Sequence, residues 1–481
     1  MEKKVFKNYI YNVIYQIITI ILPIITAPYV SRVLGAEKIG IFGYTLSIVT
    51  YFTLVSAFGM TKYGQREIAY VQGDREKQSK IFWELCTIKL ISVIFFALLF
   101  FLVFCISGEY VIYYRILLFE IIAVFFDITW FFQGLEDFKK VVIRNTIVKL
   151  ISIACIFLFV KTQQDLFKYF LIYVVSTCAG NLTLWLNIHK YVDKVKVKFR
   201  DLKKHLLPML SLFIPQVAVS IYTVLDKTML GKLVNDMAEV GYYTQSQRIV
   251  KIALTLVTTL SIVMMPRISS VFSKNDKKKI KEYMDLSFRF NWFMGTVIAF
   301  GIAAISPTFV PWFFGAGYDK VIDLLIYTSP VIVFISFSTT IGSQYLISIK
   351  KQNVQTVAVV SGAIINVILN FILIPHLKST GAIIATLAAE LSISLIEICY
   401  VVSRKHVELS SVISKFYNYL FSGIIMFVII RLMQRIMSVS VAATFVQIVV
   451  GTIVYVGILA ILHDKFLFDI FKTVFKKEGR K

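Results

Sequence analysis

Apolar runs long enough to cross a bilayer as α-helices, roughly 17–25 residues each, follow one another along nearly the whole chain. Short polar segments rich in Lys and Arg separate them. The pattern predicts helices near 8–30, 39–59, 81–106, 110–133, 141–160, 165–188, 206–230, 240–265, 286–305, 323–349, 354–374, 379–402, 414–433 and 441–462. The expected fold is an all-α integral membrane protein of about 14 transmembrane helices, with no soluble domain between them. The first run contains Pro23 and Pro28 and has no small-residue cleavage site after it, so it reads as a span rather than a signal peptide.

Composition agrees. Of the 481 residues, 58% are hydrophobic and 16% charged, against about 25% charged in soluble domains. The +23 net charge suggests nucleic acid as a partner until its distribution is drawn. With the N-terminus assigned to the cytoplasm, most of the 51 Lys and Arg fall in segments on that side: near 60–80, 134–144, 189–204, 266–289, 350–353, 403–415 and both tails. This is the positive-inside bias of a multi-pass protein, and it predicts both termini in the cytoplasm. The basic charge then serves topology and contact with anionic membrane lipids, with no nucleic acid. The five cysteines are scattered without a CxxC pair, and the five histidines lie at helix ends or in loops. No GxSxG, Walker loop or metal-ligand pair appears, so the expectation is no enzyme and no cofactor.

Two stretches resemble each other. Residues 34–49 read LGAEKIGIFGYTLSIV and 230–250 read LGKLVNDMAEVGYYTQSQRIV. Leu34-Gly35 aligns with Leu230-Gly231, and Gly40 with Gly241. Six predicted helices separate the copies, so the second half re-enters from the same side, as in parallel repeats. The organisation expected is a bundle over 1–205, a second over 206–402, and a C-terminal pair of helices with a basic tail over 403–481. Such transporters hold their substrate near the membrane midplane.

Candidate chemistry lies among the polar groups inside the spans. Thr244, Arg248, Lys251, Thr255 and Thr258 share one face of the 240–265 helix. A basic residue near the bilayer centre costs about 2.5–3.5 kcal/mol, so this stripe faces protein or water. Two readings stand for it: an anion-binding wall, or internal ion pairs of Arg248 with Asp226 and of Lys251 with Glu390. Gln216, Ser220, Thr223 and Lys227 form a stripe on the 206–230 helix, and Asn8, Asn12, Gln16 and Thr19 one on the first. Both read as cavity lining or as interhelical hydrogen bonding, with Lys227 also placed to snorkel. Lys89 and Lys149, with Asp127 and Glu84, read as a charge-compensation network or as a cytoplasmic entry site for anionic headgroups. Glu390 and Glu397 share a face of the 379–402 helix, either as ion-coupling groups or as partners of the basic residues.

Four blocks, in order, carry a resemblance. They are PYVSRVLGAEKIGIFGYTLSIV (28–49) with FGMTKYGQREIA (58–69), MMPRISSVFSKND (264–276), FFGAGYDKVIDLL (313–325) and GAIINVILNFILIPHLKSTGAIIATLAAE (362–390). Together they resemble the polysaccharide-biosynthesis flippases of the multidrug/oligosaccharidyl-lipid/polysaccharide exporter superfamily. The resemblance implies two helical bundles around a central cavity and alternating access. It implies a substrate, oligosaccharide repeat units on an undecaprenyl-pyrophosphate-type lipid, moved from the cytoplasmic to the outer leaflet for capsule or O-antigen polymers. It also implies a bacterial cytoplasmic membrane and glycosyltransferases and a polymerase of the same pathway as partners. Rivals are a lipid II flippase and a cation-coupled multidrug exporter. On this reading the anion site is Arg248, Lys251, Lys89, Lys149 and Lys227. Asn12, Gln16, Gln216, Thr244 and Thr255 line the cavity, and Glu390, Glu397 and Asp127 are candidates for ion coupling.

Overall fold

The computed structural model describes residues 2–404, 408–413 and 416–469, with side chains given except at 2–20, 214–216, 218–219, 221–222, 259, 262–263, 409 and 411. The helices in chain order are α1 (Glu2–Ala57), α2 (Met60–Tyr70), α3 (Arg75–Phe104), α4 (Val111–Phe126), α5 (Thr129–Gly134), α6 (Phe138–Phe159), α7 (Leu166–Trp185) and α8 (Phe199–Leu233). They continue with α9 (Met237–Ser273), α10 (Lys277–Phe314), α11 (Asp319–Ser338), a π-helical segment Thr339–Leu346, α12 (Gln352–Ser403), α13 (Leu409–Val412), α14 (Phe416–Met433) and α15 (Val441–Ile461). No strand occurs among the described residues. Nine helical stretches among them are long and apolar enough to cross a membrane. α8 and α9 contain undescribed side chains and lie outside that count. The protein is an all-helical, multi-pass membrane protein.

Two of the longest helices are each two limbs joined at a kink. α1 breaks at Gly35, whose φ of 77° and ψ of 169° suit glycine, and α12 breaks at Lys378, with φ 53° and ψ −130°. The apolar run expected as one helix over 110–133 is interrupted. α4 stops at Phe126, Asp127 and Ile128 leave the helix, and α5 resumes at Thr129. Neither proline nor glycine marks the spot. The Asp127 side chain accepts from the Thr129 amide (3.0 Å), so a local carboxylate–backbone bond competes with the helix there. Asp74 acts similarly at the start of α3, where it accepts from the Lys77 amide (3.0 Å). The Lys77 ammonium and amide hold its carboxyl below the usual carboxylate range.

The chain divides into two compact units, Met1–Gly231 with Asp236–Gly241, and Lys232–Asn235 with Tyr242–Lys481. The core of the first gathers Met60, Phe82, Leu85, Trp130, Phe131 and Met209, with Phe82 stacked on Trp130. α8, expected to open the second bundle, packs here. Gly59 meets Met209 and Phe213, and the Thr228 and Ser47 hydroxyls are hydrogen-bonded at 2.8 Å. The aligned glycines of the repeat meet in the same unit. A Cβ on Gly40 would run into the Met237 carbonyl, and one on Gly241 into the Ala36 carbonyl. Only the absence of side chains lets α1 and the first turn of α9 approach this closely.

The second unit is built on α10. Phe288 stacks on Phe337 of α11, and the Trp292 indole donates to the Val412 carbonyl at 2.7 Å. α14 and α15 pack on the far half of α10. There the Thr296 and Tyr455 hydroxyls bond at 2.7 Å, and Gln447 donates to the Thr308 hydroxyl at 3.1 Å.

Candidate functional site

α9 has two unlike faces. Val250, Ala253, Val257, Ser261, Met264 and Ile268 are buried and follow helical spacing, so this face is packed within the second unit. The other carries Thr244, Arg248, Lys251, Thr255 and Thr258. Thr255 donates to the Lys251 carbonyl (3.0 Å) and Thr258 to the Leu254 carbonyl (2.9 Å), which leaves their methyl groups turned outward from the helix. Thr244 is buried and its hydroxyl has no partner among the described residues. Arg248 is half-buried and Lys251 exposed, and neither has an ion-pair or hydrogen-bond partner among them. Lys251 lies fourteen residues beyond the first residue of α9, about 21 Å along the axis at 1.5 Å per residue. Two cations three residues apart, without an ion-pair partner among the described residues and well inside a long helix, form a surface suited to a polyanion.

The basic residues of the first unit are arranged differently. Lys89 of α3 is 3% exposed and donates to the main-chain carbonyl of Asp127 at 2.6 Å. That carbonyl is one of the acceptors orphaned where α4 ends, so the lysine closes the helix break. Of the four residues expected to form a network, Lys89 and Asp127 meet, through the Asp127 main-chain carbonyl, while Glu84 is bonded to other residues. Lys149 is half-buried on α6, and Lys227 is half-buried on α8 one residue before Thr228. Asn12, Gln16 and Gln216 lie outside the described side chains.

Glu84, expected beside Lys89 and Lys149, has other partners. It is 1% exposed on α3, and its Oε2 accepts from Lys204 and from His205 Nε2, both at 2.8 Å. His205 Nδ1 in turn meets the Tyr63 hydroxyl at 2.7 Å, and Lys80 stands 3.9 Å from Oε1. This chain ties α2 and α3 to the start of α8. The available signal was Glu84 itself, an acid at the end of an apolar run that needed a partner, with Lys204-His205 the nearest basic pair before the next run.

The α12 carboxylates are both buried. Glu397 is fully enclosed, and neither of its oxygens has a hydrogen bond of good geometry among the described residues. It lies against Gly342 in the π-helical segment, with the Ser338 hydroxyl facing it. Glu390 lies one face-repeat earlier and is 4% exposed. On the preceding limb, Asn370 donates to Asn366 at 3.0 Å, and both are buried. Asp127, the third residue expected in ion coupling, is half-buried at the α4–α5 break.

A family model described as polysaccharide biosynthesis protein matches residues 5–272, more than half of the chain. The chain belongs to that polysaccharide biosynthesis family. A second model, MatE, matches residues 212–372 of this family member. Over 407 residues it is 24% identical to a proposed O-antigen transporter of Escherichia coli (strain K12), an alignment covering 83% of this chain and 97% of that one. It is 25% identical over 184 residues to the lipid II flippase MurJ of Bacillus subtilis (strain 168), covering 35% of this chain and 33% of MurJ. Among solved structures, a lipid II flippase MurJ in an inward closed conformation superposes with a TM-score of 0.76 at 18% identity, over 94% of this chain and 99% of that one. An inward-facing multidrug resistance MATE family transporter of the MOP superfamily superposes with a TM-score of 0.64 at 14% identity, over 80% and 94%. This family member therefore has the MurJ/MATE-like fold, and it is a membrane transporter of that superfamily rather than an enzyme.

Proposed function

We propose that this polysaccharide biosynthesis family member is a flippase for oligosaccharide repeat units linked to a polyprenyl pyrophosphate, moving them from the cytoplasmic to the outer leaflet of a bacterial cytoplasmic membrane. The observation that supports the reading is the pair Arg248 and Lys251 on α9, which has no ion-pair partner among the described residues. A pyrophosphate carries about two negative charges, and bare charge in hydrocarbon is prohibitively unfavourable. A guanidinium and an ammonium in a wet cavity lower that barrier while the prenyl tail stays in lipid. The same pair disfavours a cationic drug as cargo, since like charges repel at such a wall. Relatives named for O-antigen transport that align over nearly their whole length favour an oligosaccharide repeat unit over the peptide-bearing headgroup of lipid II.

In this proposal both termini face the cytoplasm. The limbs of α1 and α12 count as separate crossings among fourteen, and the repeat comprises 1–205 and 206–402 with 403–481 appended. Lys149 and Lys227 are further contacts for the headgroup. Glu390 and Glu397 exchange a proton or cation as the cycle proceeds, because a ligand drives a conformational change only through differential affinity for the two states. Reconstitution into liposomes tests the reading. Fluorescent lipid-linked oligosaccharide, lipid II and a cationic drug are supplied in turn, and the headgroup that changes sides is scored. Movement of the oligosaccharide lipid alone is the expected result. Movement of lipid II alone, or of the drug, overturns it.

A further inference from the structure

α6 and α7 lie side by side in the first unit and touch where Gly180 meets Val148. On either side of that point the seam opens. Towards the α6 N-terminus is a groove of 460 Å³, and beyond the contact is a second of 430 Å³; Val148 lines both. Their linings are unlike. The first brings three cations, Lys139, Lys140 and Arg144, against one carboxylate, Asp137, with Thr183 and Asn187 adding neutral polar groups. The second is walled mostly by apolar side chains, Ile151, Cys155, Val175 and Ala179 among them; its polar members are Ser176 and Lys168, the latter paired with Asp165 at 2.6 Å.

The cations are held at different tensions. Lys140 bonds the Tyr191 hydroxyl, lies 3.1 Å from Asp137, and sits over the Phe132 and Tyr191 rings. Arg144 donates to Asn181 (3.0 Å), whose amide is fixed by the Ala123 carbonyl (3.0 Å). Both are thereby set in position. Lys139 is exposed and has no partner among the described residues. One helical turn after it comes Ile143, and one more brings Ile147, 51% exposed, with Ile151 next on the same stripe. A cation at the head of an exposed apolar stripe, beside a polar groove that runs into an apolar one, matches a molecule with an anionic head and a hydrocarbon tail. A water-soluble anion would make no use of the second groove. Basic pockets between transmembrane helices near the headgroup level are where anionic lipids bind.

We propose that the α6–α7 seam is a binding site for an anionic glycerophospholipid of the bilayer, its phosphate between Lys139 and Arg144 and one acyl chain along Ile143, Ile147 and Ile151. Thr183 and Asn187 are placed for the hydroxyls of a glycerol headgroup. The site uses none of the residues of the α9 stripe and is independent of which cargo the protein carries.

The test uses the full chain in detergent, with bound lipid counted by native mass spectrometry and thermal unfolding followed on titration with phosphatidylglycerol, phosphatidylcholine or inorganic phosphate. Wild type is expected to retain phosphatidylglycerol and to be stabilised by it, and not by the other two. Lys139→Glu should weaken that binding about tenfold or more. Ile151→Trp, at an exposed residue that lines the apolar groove and not the cationic one, should weaken it independently. Both side chains are exposed, so both variants should unfold like wild type without added lipid. Undiminished phosphatidylglycerol binding in both variants overturns the proposal. So does equal stabilisation by phosphatidylcholine, or by inorganic phosphate. Binding of a polyprenyl pyrophosphate that is lost in Lys139→Glu while phosphatidylglycerol binding persists would reassign the seam to the cargo and overturn it as well.

Discussion

Lys251→Ala removes an exposed ammonium that makes no ion pair with any described residue, so its removal leaves no carboxylate stranded. Stability should therefore stay within about 0.5 kcal/mol of wild type, as for surface substitutions generally. Transport should respond quite differently. A hydrogen bond between charged groups contributes about 1.5–3 kcal/mol net. At 1.4 kcal/mol per tenfold, that is a loss of roughly 10- to 150-fold in affinity for a pyrophosphate headgroup. Lys251→Arg keeps the charge and should retain most of the activity. Arg248→Ala should be similar in sign, and the double variant should fall short of additivity, since residues three apart on one helical face share the ligand. The assay is leaflet exchange of fluorescent lipid-linked oligosaccharide in liposomes, with melting of the purified variants as the folding control. Wild-type exchange by the Arg248→Ala, Lys251→Ala double variant refutes the reasoning. An equal loss in Lys251→Arg and Lys251→Ala would also refute it, because charge would then not be the operative property.

Glu84→Gln should destabilise the first unit by about 1–3 kcal/mol, less than a fully enclosed ion pair because Lys204 and Lys80 reach solvent. Thermal unfolding in detergent measures this, and coupling to His205→Ala in a double-mutant cycle checks that the two act together. Gly40→Ala and Gly241→Ala should each cost about 1–3 kcal/mol by overpacking. Gly301→Ala, where a Cβ would meet nothing within 4 Å, should be neutral or slightly stabilising in the same measurement. Lys89→Met leaves the Asp127 carbonyl without its donor and should lose about 1–3 kcal/mol of stability. The fraction that remains folded should transport normally per molecule, a result that separates Lys89 from the headgroup contacts.

Positions of the membrane helices were legible because a bilayer imposes a single demand, unbroken apolarity. The runs expected at 81–106, 141–160 and 441–462 correspond to α3, α6 and α15 within a few residues. α8, α9 and α10 run well beyond their apolar parts, which hydropathy does not register. The interruption at Asp127 was hidden because it depends on one carboxylate bonding a nearby amide, and residue type alone does not say whether that bond or the helix wins. The arrangement of the α9 stripe followed from periodicity. What Lys89 bonds did not, since main-chain acceptors leave no mark in a sequence. His205 read as a helix-end residue because its partners, Tyr63 and Glu84, stand far away along the chain.

The π-wound stretch Thr339–Leu346 has a geometric corollary for Glu397. A π turn accommodates more residues than an α turn, so rewinding it as α-helix would rotate one end against the other by up to about 100° per displaced residue. Gly342 is the only residue in that stretch without a side chain, and it is the one now set against the carboxylate. Any such rotation would bring a residue with a side chain to the spot the Glu397 carboxylate now faces, so rewinding is expected to require that carboxylate to move.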